Sequence, residues 1–243
     1  MELVRINKFL AQSGICSRRE ADTYIESGRV LINGKTATMG SKISTDDVVT
    51  VDGKLVSCEK LNGPDKLYVY AYYKPVGVVC TEKDKHASKK VTDFVKAPVR
   101  VTYAGRLDKD SEGLLLLTND GGLIDCMMRG ANGHEKEYVV KVDKKISREF
   151  IQRMENGLYL EELRVTTRPC KLAIVGPYTF RIVLTQGLNR QIRRMCETLG
   201  YKVKNLKRER VLNITLGQLK PGEYRLLSEA EMNEIKAVVG YGR

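Results

Sequence analysis

The chain of 243 residues contains no tryptophan and only two histidines, His86 and His134. With so few histidines, chemistry built on a histidine pair has little to work with. The six cysteines stand singly at 16, 58, 80, 126, 170 and 196, without a Cys-x-x-Cys pair. That argues against a structural zinc site, and reduced thiols are the default where cysteines are not framed as disulfides. No apolar run approaches the roughly 18 to 20 residues of a membrane span. The first residues, Met-Glu-Leu-Val-Arg-Ile-Asn-Lys, lack the basic-then-apolar layout of a secretory signal. Together these absences predict a cytoplasmic protein with no membrane partner.

What the sequence does have is positive charge. The net charge of +12 favours a polyanionic partner. Residues 181–225 hold 11 Lys/Arg against 3 Asp/Glu, while residues 1–60 hold 9 against 8. A basic surface on the first 60 residues must therefore come from arrangement rather than excess. Membrane binding would need a basic amphipathic helix with bulky aromatics, and tryptophan is absent.

Residues 1–60 read as a self-contained module. Ile6, Phe9 and Leu10 have the i, i+3, i+4 spacing of one helical face, and Ser13-Gly14 closes that helix. Ser17 and Glu20 match a capping box for a second helix that buries Ala21, Tyr24 and Ile25 and stops near Gly28. Asn33-Gly34 between Val30-Leu-Ile and Lys35 is a two-residue hairpin signal. Residues 59–66, with Asn62-Gly-Pro64, read as a linker around 61–66. Residues 67–243 then form a second domain. Strands are predicted at Leu67 to Tyr73, Glu137 to Val142, Cys170 to Val175 and Thr179 to Thr185. Helices are predicted at Arg190 to Leu199 and from about Ser228. Lys83 to Lys90 is a charged loop or short helix. Without a regular βαβ rhythm, the second domain is expected to be α+β with a mixed, largely antiparallel sheet.

The densest segment is Gly105-Arg-Leu-Asp-Lys-Asp-Ser-Glu-Gly-Leu-Leu-Leu-Leu-Thr-Asn-Asp-Gly121. A charged loop runs into the apolar block Leu114 to Leu117, which reads as a buried strand closed by a turn at Asn119-Asp-Gly-Gly122. Asp108, Asp110, Glu112 and Asp120 could be solubilising charges, helix caps, metal ligands or a nucleophile, and spacing alone does not choose.

That segment resembles the signature of RNA pseudouridine synthases, and specifically of the branch with an N-terminal S4 RNA-binding domain, which residues 1–60 resemble. Three further stretches are similar to that family in the same order: Tyr72-Tyr-Lys-Pro-Val-Gly77, His134-Glu-Lys-Glu-Tyr138 and Gln186-Gly-Leu-Asn-Arg-Gln-Ile-Arg-Arg-Met195. The resemblance implies an isomerase that needs no cofactor, converting uridine to pseudouridine in ribosomal RNA. Its expected target is 23S rRNA, as a stem-loop or a large-subunit assembly intermediate. The alternatives are 16S rRNA, a tRNA anticodon stem, or a non-catalytic RNA-binding protein of ribosome assembly. A monomer is expected. Asp108 is implied as the nucleophile, either at C1′ of the sugar or through deprotonation at C2′ and a glycal. Arg193 is implied as its ion-pair partner and Tyr138 as the aromatic that stacks on the flipped uracil. Arg106 is implied to fill the space the uridine leaves and Leu184 to form the apolar wall. Asn189, Arg190, Arg194 and Lys74 are expected on RNA, together with Arg5, Lys8, Arg18, Arg19, Arg29 and Lys35 of the S4-like module.

Overall fold

The computed structural model describes residues 3–57, 66–81, 90–128 and 133–242. The charged loop expected at Lys83 to Lys90 and the linker expected at 61–66 lie outside these apart from their last residues. Contacts divide the chain into two compact units. One is built mainly on the residues up to Tyr68; the other holds most of the chain from Val69 onward. No described helix is long and apolar enough to cross a membrane.

The first unit contains β1 (Val4–Arg5), α1 (Ile6–Gln12), α2 (Arg18–Glu26), β2 (Val30–Ile32), β3 (Lys35–Thr36), β4 (Lys42–Ile43), β5 (Val49–Val51) and β6 (Lys54–Val56). β3-β2-β5-β6 form an antiparallel sheet, and β1 pairs with β4. The expected capping box is present: Ser17 Oγ accepts from the Glu20 amide, and Glu20 accepts from the Ser17 amide. Asn33 and Gly34 take φ of +51° and +77°, the left-handed pair that a tight hairpin between Ile32 and Lys35 requires. Ile6, Phe9 and Leu10 of α1 pack with Ala21 and Ile25 of α2 over Val30 and Val49. Tyr24 is only partly buried against this core.

The second unit contains β7 (Val69–Lys74), β8 (Thr102–Ala104), β9 (Glu112–Thr118), β10 (Lys136–Val142), β11 (Tyr159–Leu160), β12 (Val165–Thr166), β13 (Lys171–Gly176), β14 (Thr179–Leu184), β15 (Val203–Val211), β16 (Ile214–Thr215) and β17 (Tyr224–Leu226). Its helices are α3 (Gly121–Met128), α4 (Arg148–Asn156), α5 (Gln191–Thr198) and α6 (Glu229–Val239). The main sheet runs β13-β14-β10-β15-β9-β7-β17, with β8 on β9 and β16 on β15. The β9–β15 pair is parallel, whereas β14–β10, β10–β15 and β7–β17 are antiparallel. This is the α+β architecture with a mixed, largely antiparallel sheet. Phe180, Ile182 and Leu184 face one core, as their alternation predicts, with Phe150 and Met154 of α4 and Ile192, Met195 and Cys196 of α5.

Two local expectations are corrected. Asn119-Asp-Gly-Gly122 does not form a turn ending in loop; its glycines begin α3, and the Asp120 carboxylate accepts from the Gly122 amide at 2.7 Å, as a helix cap does. The strand expected from Leu67 begins at Val69 and takes in Lys74. α4 and β15 carry no label in the sequence reading.

The parallel register sets Gly113 directly against Arg208. Gly113 has φ of +107°, and a Cβ there would come within 2.6 Å of the Arg208 amide nitrogen and collide with its carbonyl. Only glycine lets the two strands approach this closely. Gly113→Ala is therefore expected to destabilise the fold by about 2 to 3 kcal/mol, combining overpacking with backbone strain. A denaturant melt reads this, and a midpoint unchanged from wild type would contradict it.

Candidate active site

Asp108 stands in the loop that leaves β8 and enters β9. Four donors hold the backbone carbonyls of that loop in place. Arg208 Nη1 donates to Arg106 (3.4 Å), the Gly77 amide to Lys109 (2.8 Å), Arg193 Nη2 to Asp110 (2.9 Å) and Lys74 Nζ to Ser111 (2.7 Å). Within the loop the Ser111 amide donates to the Asp108 carbonyl, closing a turn at the carboxylate. Lys74 is fully buried and donates also to the Pro75 carbonyl. Burial pushes its ammonium down to about 8, against the pull of Asp108, Asp110 and Glu112 nearby. Glu112 is itself pinned: Tyr73 OH donates to Oε2 at 2.9 Å and Asn205 Nδ2 to Oε1 at 2.7 Å.

The Asp108 carboxylate faces a cleft of about 550 Å³, in which Arg106, Lys136, Tyr138, Arg190 and Arg208 also take part. A smaller recess of about 90 Å³ opens from the same loop and adds the apolar side chains of Leu184, Ile192 and Leu206 to Tyr138 and Asp108. Tyr138 and Leu184 are brought together because β10 and β14 are neighbours, with Tyr138 opposite Ile182 and Lys136 opposite Leu184. Asp108, Tyr138, Leu184, Arg106 and Arg190 thus converge.

Other expected site residues fall elsewhere. The ion pair expected between Asp108 and Arg193 is not made. Arg193 is buried, bonded to the Asp110 carbonyl and the Ser111 hydroxyl, and burial lowers its pKa. The partner of Asp108 is Arg190, with Nη1 at 3.7 Å from Asp108 Oδ2 and 3.7 Å from Asp110 Oδ2. Arg190 caps α5 with a left-handed φ of +48°, a strained conformation of the kind that gathers at functional sites. Lys74, expected on RNA, has no route to it, because its ammonium is spent on loop carbonyls. Arg194 pairs with Glu162 and donates to the carbonyl and side chain of Asn189, which lines the cleft mouth.

The basic stretch 181–225 is also less available than its count suggests. Arg181, Lys207 and Arg210 are held by Glu135, Glu137 and Glu209, and Arg225 by Glu231, while Arg208 is buried. In the first unit Arg5, Arg18, Arg19 and Lys35 are exposed and Lys8 half-buried. Arg29 grips Asp52 through two hydrogen bonds and lies 4.0 Å over the Tyr24 ring.

Arg208 and Lys136 are the cleft residues that sequence reading missed. The signal was available: Arg208 shares the parity of buried Leu206, and Lys136 that of Tyr138 and buried Val140, so both point inward on their strands. The sequence gives Lys136 no role of its own, and Arg208 only a place in the basic stretch 181–225.

Residues 68–198 match the RNA pseudouridylate synthase family, and residues 4–49 the S4 domain. The chain belongs to the RNA pseudouridylate synthase family. The "Dual-specificity RNA pseudouridine synthase RluF" of Escherichia coli (strain K12) is 48% identical over 232 residues, covering 96% of this chain and 78% of that protein. The "Ribosomal large subunit pseudouridine synthase B" of Bacillus subtilis (strain 168) is 36% identical, covering 98% of each. A crystal structure of a pseudouridylate synthase, 28% identical, aligns with a TM-score of 0.70 over 96% of this chain and 99% of its own.

In this pseudouridylate synthase the braced loop should matter to rate more than to RNA affinity. Lys74→Met keeps the side chain's bulk and removes the ammonium. Single-turnover kinetics are expected to show a loss of about 100-fold, the scale of a misplaced reacting group. The RNA dissociation constant should hold within about twofold. A full-rate variant would show that the clamp does not position Asp108.

Proposed function

We propose that this synthase isomerises a specific uridine of large-subunit ribosomal RNA, with Asp108 as the nucleophile. The observation that carries the reading is the placement of the Asp108 carboxylate on a braced loop, at the mouth of a recess walled by Tyr138 and Leu184. Two relatives whose names specify RNA or ribosomal large-subunit pseudouridine synthesis support the substrate class. The S4-like residues 1–60 would supply affinity through phosphate contacts from Arg5, Lys8, Arg18, Arg19 and Lys35, and residues 67–243 the chemistry. The enzyme would act as a cytoplasmic monomer.

A uridine inside a stem cannot reach the recess, so it is flipped out at a cost of a few kcal/mol, and Arg106 occupies the vacated stack. The uracil enters against Tyr138, whose ring contributes about 1 to 3 kcal/mol of stacking, with Leu184 behind it. Asp108 either attacks C1′ as the N1–C1′ bond breaks, or removes the C2′ proton to give a glycal. The uracil then rotates and C5 bonds to C1′, breaking the Asp108–C1′ ester in the first route or taking the proton back at C2′ in the second; C5 then gives up its proton and N1 gains one. Arg190 pairs with the carboxylate, and Arg193 holds the loop. About a third of the Asp108 side chain is exposed (32%), so a bound nucleotide would complete the exclusion of water.

The test is tritium release from 5-³H-uridine-labelled 23S rRNA, with 16S rRNA and tRNA run in parallel. Release by wild type and none by Asp108→Asn is expected on 23S rRNA. Release by both would move the nucleophile to another residue, and release from 16S rRNA or tRNA alone would replace the target. Tyr138→Phe is expected to retain RNA binding and to lower the rate by about 10²- to 10⁴-fold if its hydroxyl moves the C5 proton; an unaltered rate would confine Tyr138 to stacking.

A further inference from the structure

Two cations line the cleft side of the sheet: Lys136 has no role in the reaction as set out above, and Arg208 so far only holds loop carbonyls. Lys136 stands two residues before Tyr138 on β10, and Arg208 lies opposite Tyr138 on β15. On the other face of the same strands the cations are neutralised by carboxylates. Arg210 is held by Glu135 (2.9 Å) and Glu137 (3.0 Å), Arg181 by Glu137 (2.9 Å) and Glu209 (3.4 Å), and Lys207 by Glu209 (3.3 Å). The register slips between Glu137 and Tyr138, so that Glu137 faces Arg210 while Tyr138 faces Arg208. This irregularity puts Arg210 among the acids and leaves Arg208 in the cleft.

Neither Lys136 nor Arg208 has a carboxylate within ion-pair distance among the described residues. Lys136 Nζ makes one long donation, 3.4 Å to the His134 carbonyl, and Arg208 Nη2 is buried with no partner. Burial lowers the pKa of Lys136, and the charge of Arg208 lowers it further. Like charges held together in a partly desolvated wall repel unless an anion enters between them. The smaller recess offers the base an apolar wall of Leu184, Ile192 and Leu206 beside Tyr138, whereas Lys136 and Arg208 line the larger cleft. What a nucleotide places outside its base is sugar and phosphate. A phosphodiester is also the anion whose several oxygens can take an ammonium and a guanidinium together.

We propose that Lys136 and Arg208 jointly seat the phosphodiester next to the target uridine, setting how deep the flipped nucleotide enters. This rests on the uridine-isomerising function proposed above. Both are positioning residues, acting on the backbone rather than on the reacting atoms.

Because Arg208 also braces the Asp108 loop, the test uses Lys136. Lys136→Gln and Lys136→Arg in the full chain would be compared with wild type on in vitro-transcribed 23S rRNA, by filter binding over a salt series and by single-turnover tritium release. For Lys136→Gln, the half-saturating RNA concentration is expected to rise about tenfold. The slope of log affinity against log salt should shrink by about 1. Lys136→Arg should restore both. An unchanged half-saturation and salt slope overturns the proposal. So does a loss confined to the saturated rate, which would place the charge on the departing uracil instead. Wild type that binds but releases no tritium from 23S rRNA, 16S rRNA or tRNA would sink the proposed function separately, while the salt slopes would still be read on the same transcript.

Discussion

The site depends on cations bonded to backbone carbonyls beneath the Asp108 loop. Lys74, Arg193 and Arg208 come from three distant places, yet each ends on a carbonyl between Arg106 and Ser111. A buried ammonium is costly, which is why Lys74 loses its proton more readily than a surface lysine. Two things offset that cost: strong charge-assisted bonds to the loop carbonyls and the nearby carboxylates. Carboxylates placed there instead of carbonyls would have competed with Asp108 for Arg190. Neutral acceptors fix the loop and leave Arg190 to Asp108 and Asp110.

The sheet also separates two electrostatic environments. One face of β14-β10-β15 is a lattice of alternating Glu and Arg, self-compensated and partly exposed, whose pairs individually add little stability. The cleft face carries Tyr138, Lys136 and Arg208 with no acid between them. A bulge of one residue at Glu137/Tyr138 decides which side of this division Arg208 and Arg210 fall on. The arginine-rich strand Lys207-Arg-Glu-Arg210 therefore serves two purposes that its composition cannot separate.

Much of this was legible from the sequence, because many elements carry local signals. The capping boxes at Ser17 and Ser228, the Asn33-Gly34 hairpin and the alternation from Phe180 to Leu184 each follow from one or two neighbouring residues. The signature around Asp108 marked the braced loop that lines the cleft. What stayed hidden was non-local. Whether Arg190 or Arg193 reaches Asp108 is fixed by the left-handed turn at Arg190, which aims one guanidinium outward to the carboxylate and drives the other inward to the loop backbone. Lys74 is expected on RNA because nothing near it in sequence reveals that the Ser111 carbonyl will take its ammonium. The Gly-Gly at 121 read as a turn because glycine is a poor helix former, and the Asp120 cap that overrides this depends on geometry rather than composition.

The parallel pairing of Gly113 with Arg208 has a consequence for how the enzyme comes into being. Arg208 follows Arg106, whose carbonyl it holds, by 102 residues. During synthesis at about 5 to 20 residues per second, the Asp108 loop emerges roughly 5 to 20 s before the arginine that steadies it. Over that interval β9 has no β15 beside it, and its run of four leucines must wait uncovered on that edge. Catalytic competence therefore arrives late and all at once, with the C-terminal third of the chain. A truncated product ending before β15 would carry the whole Gly-Arg-Leu-Asp signature and still be inert.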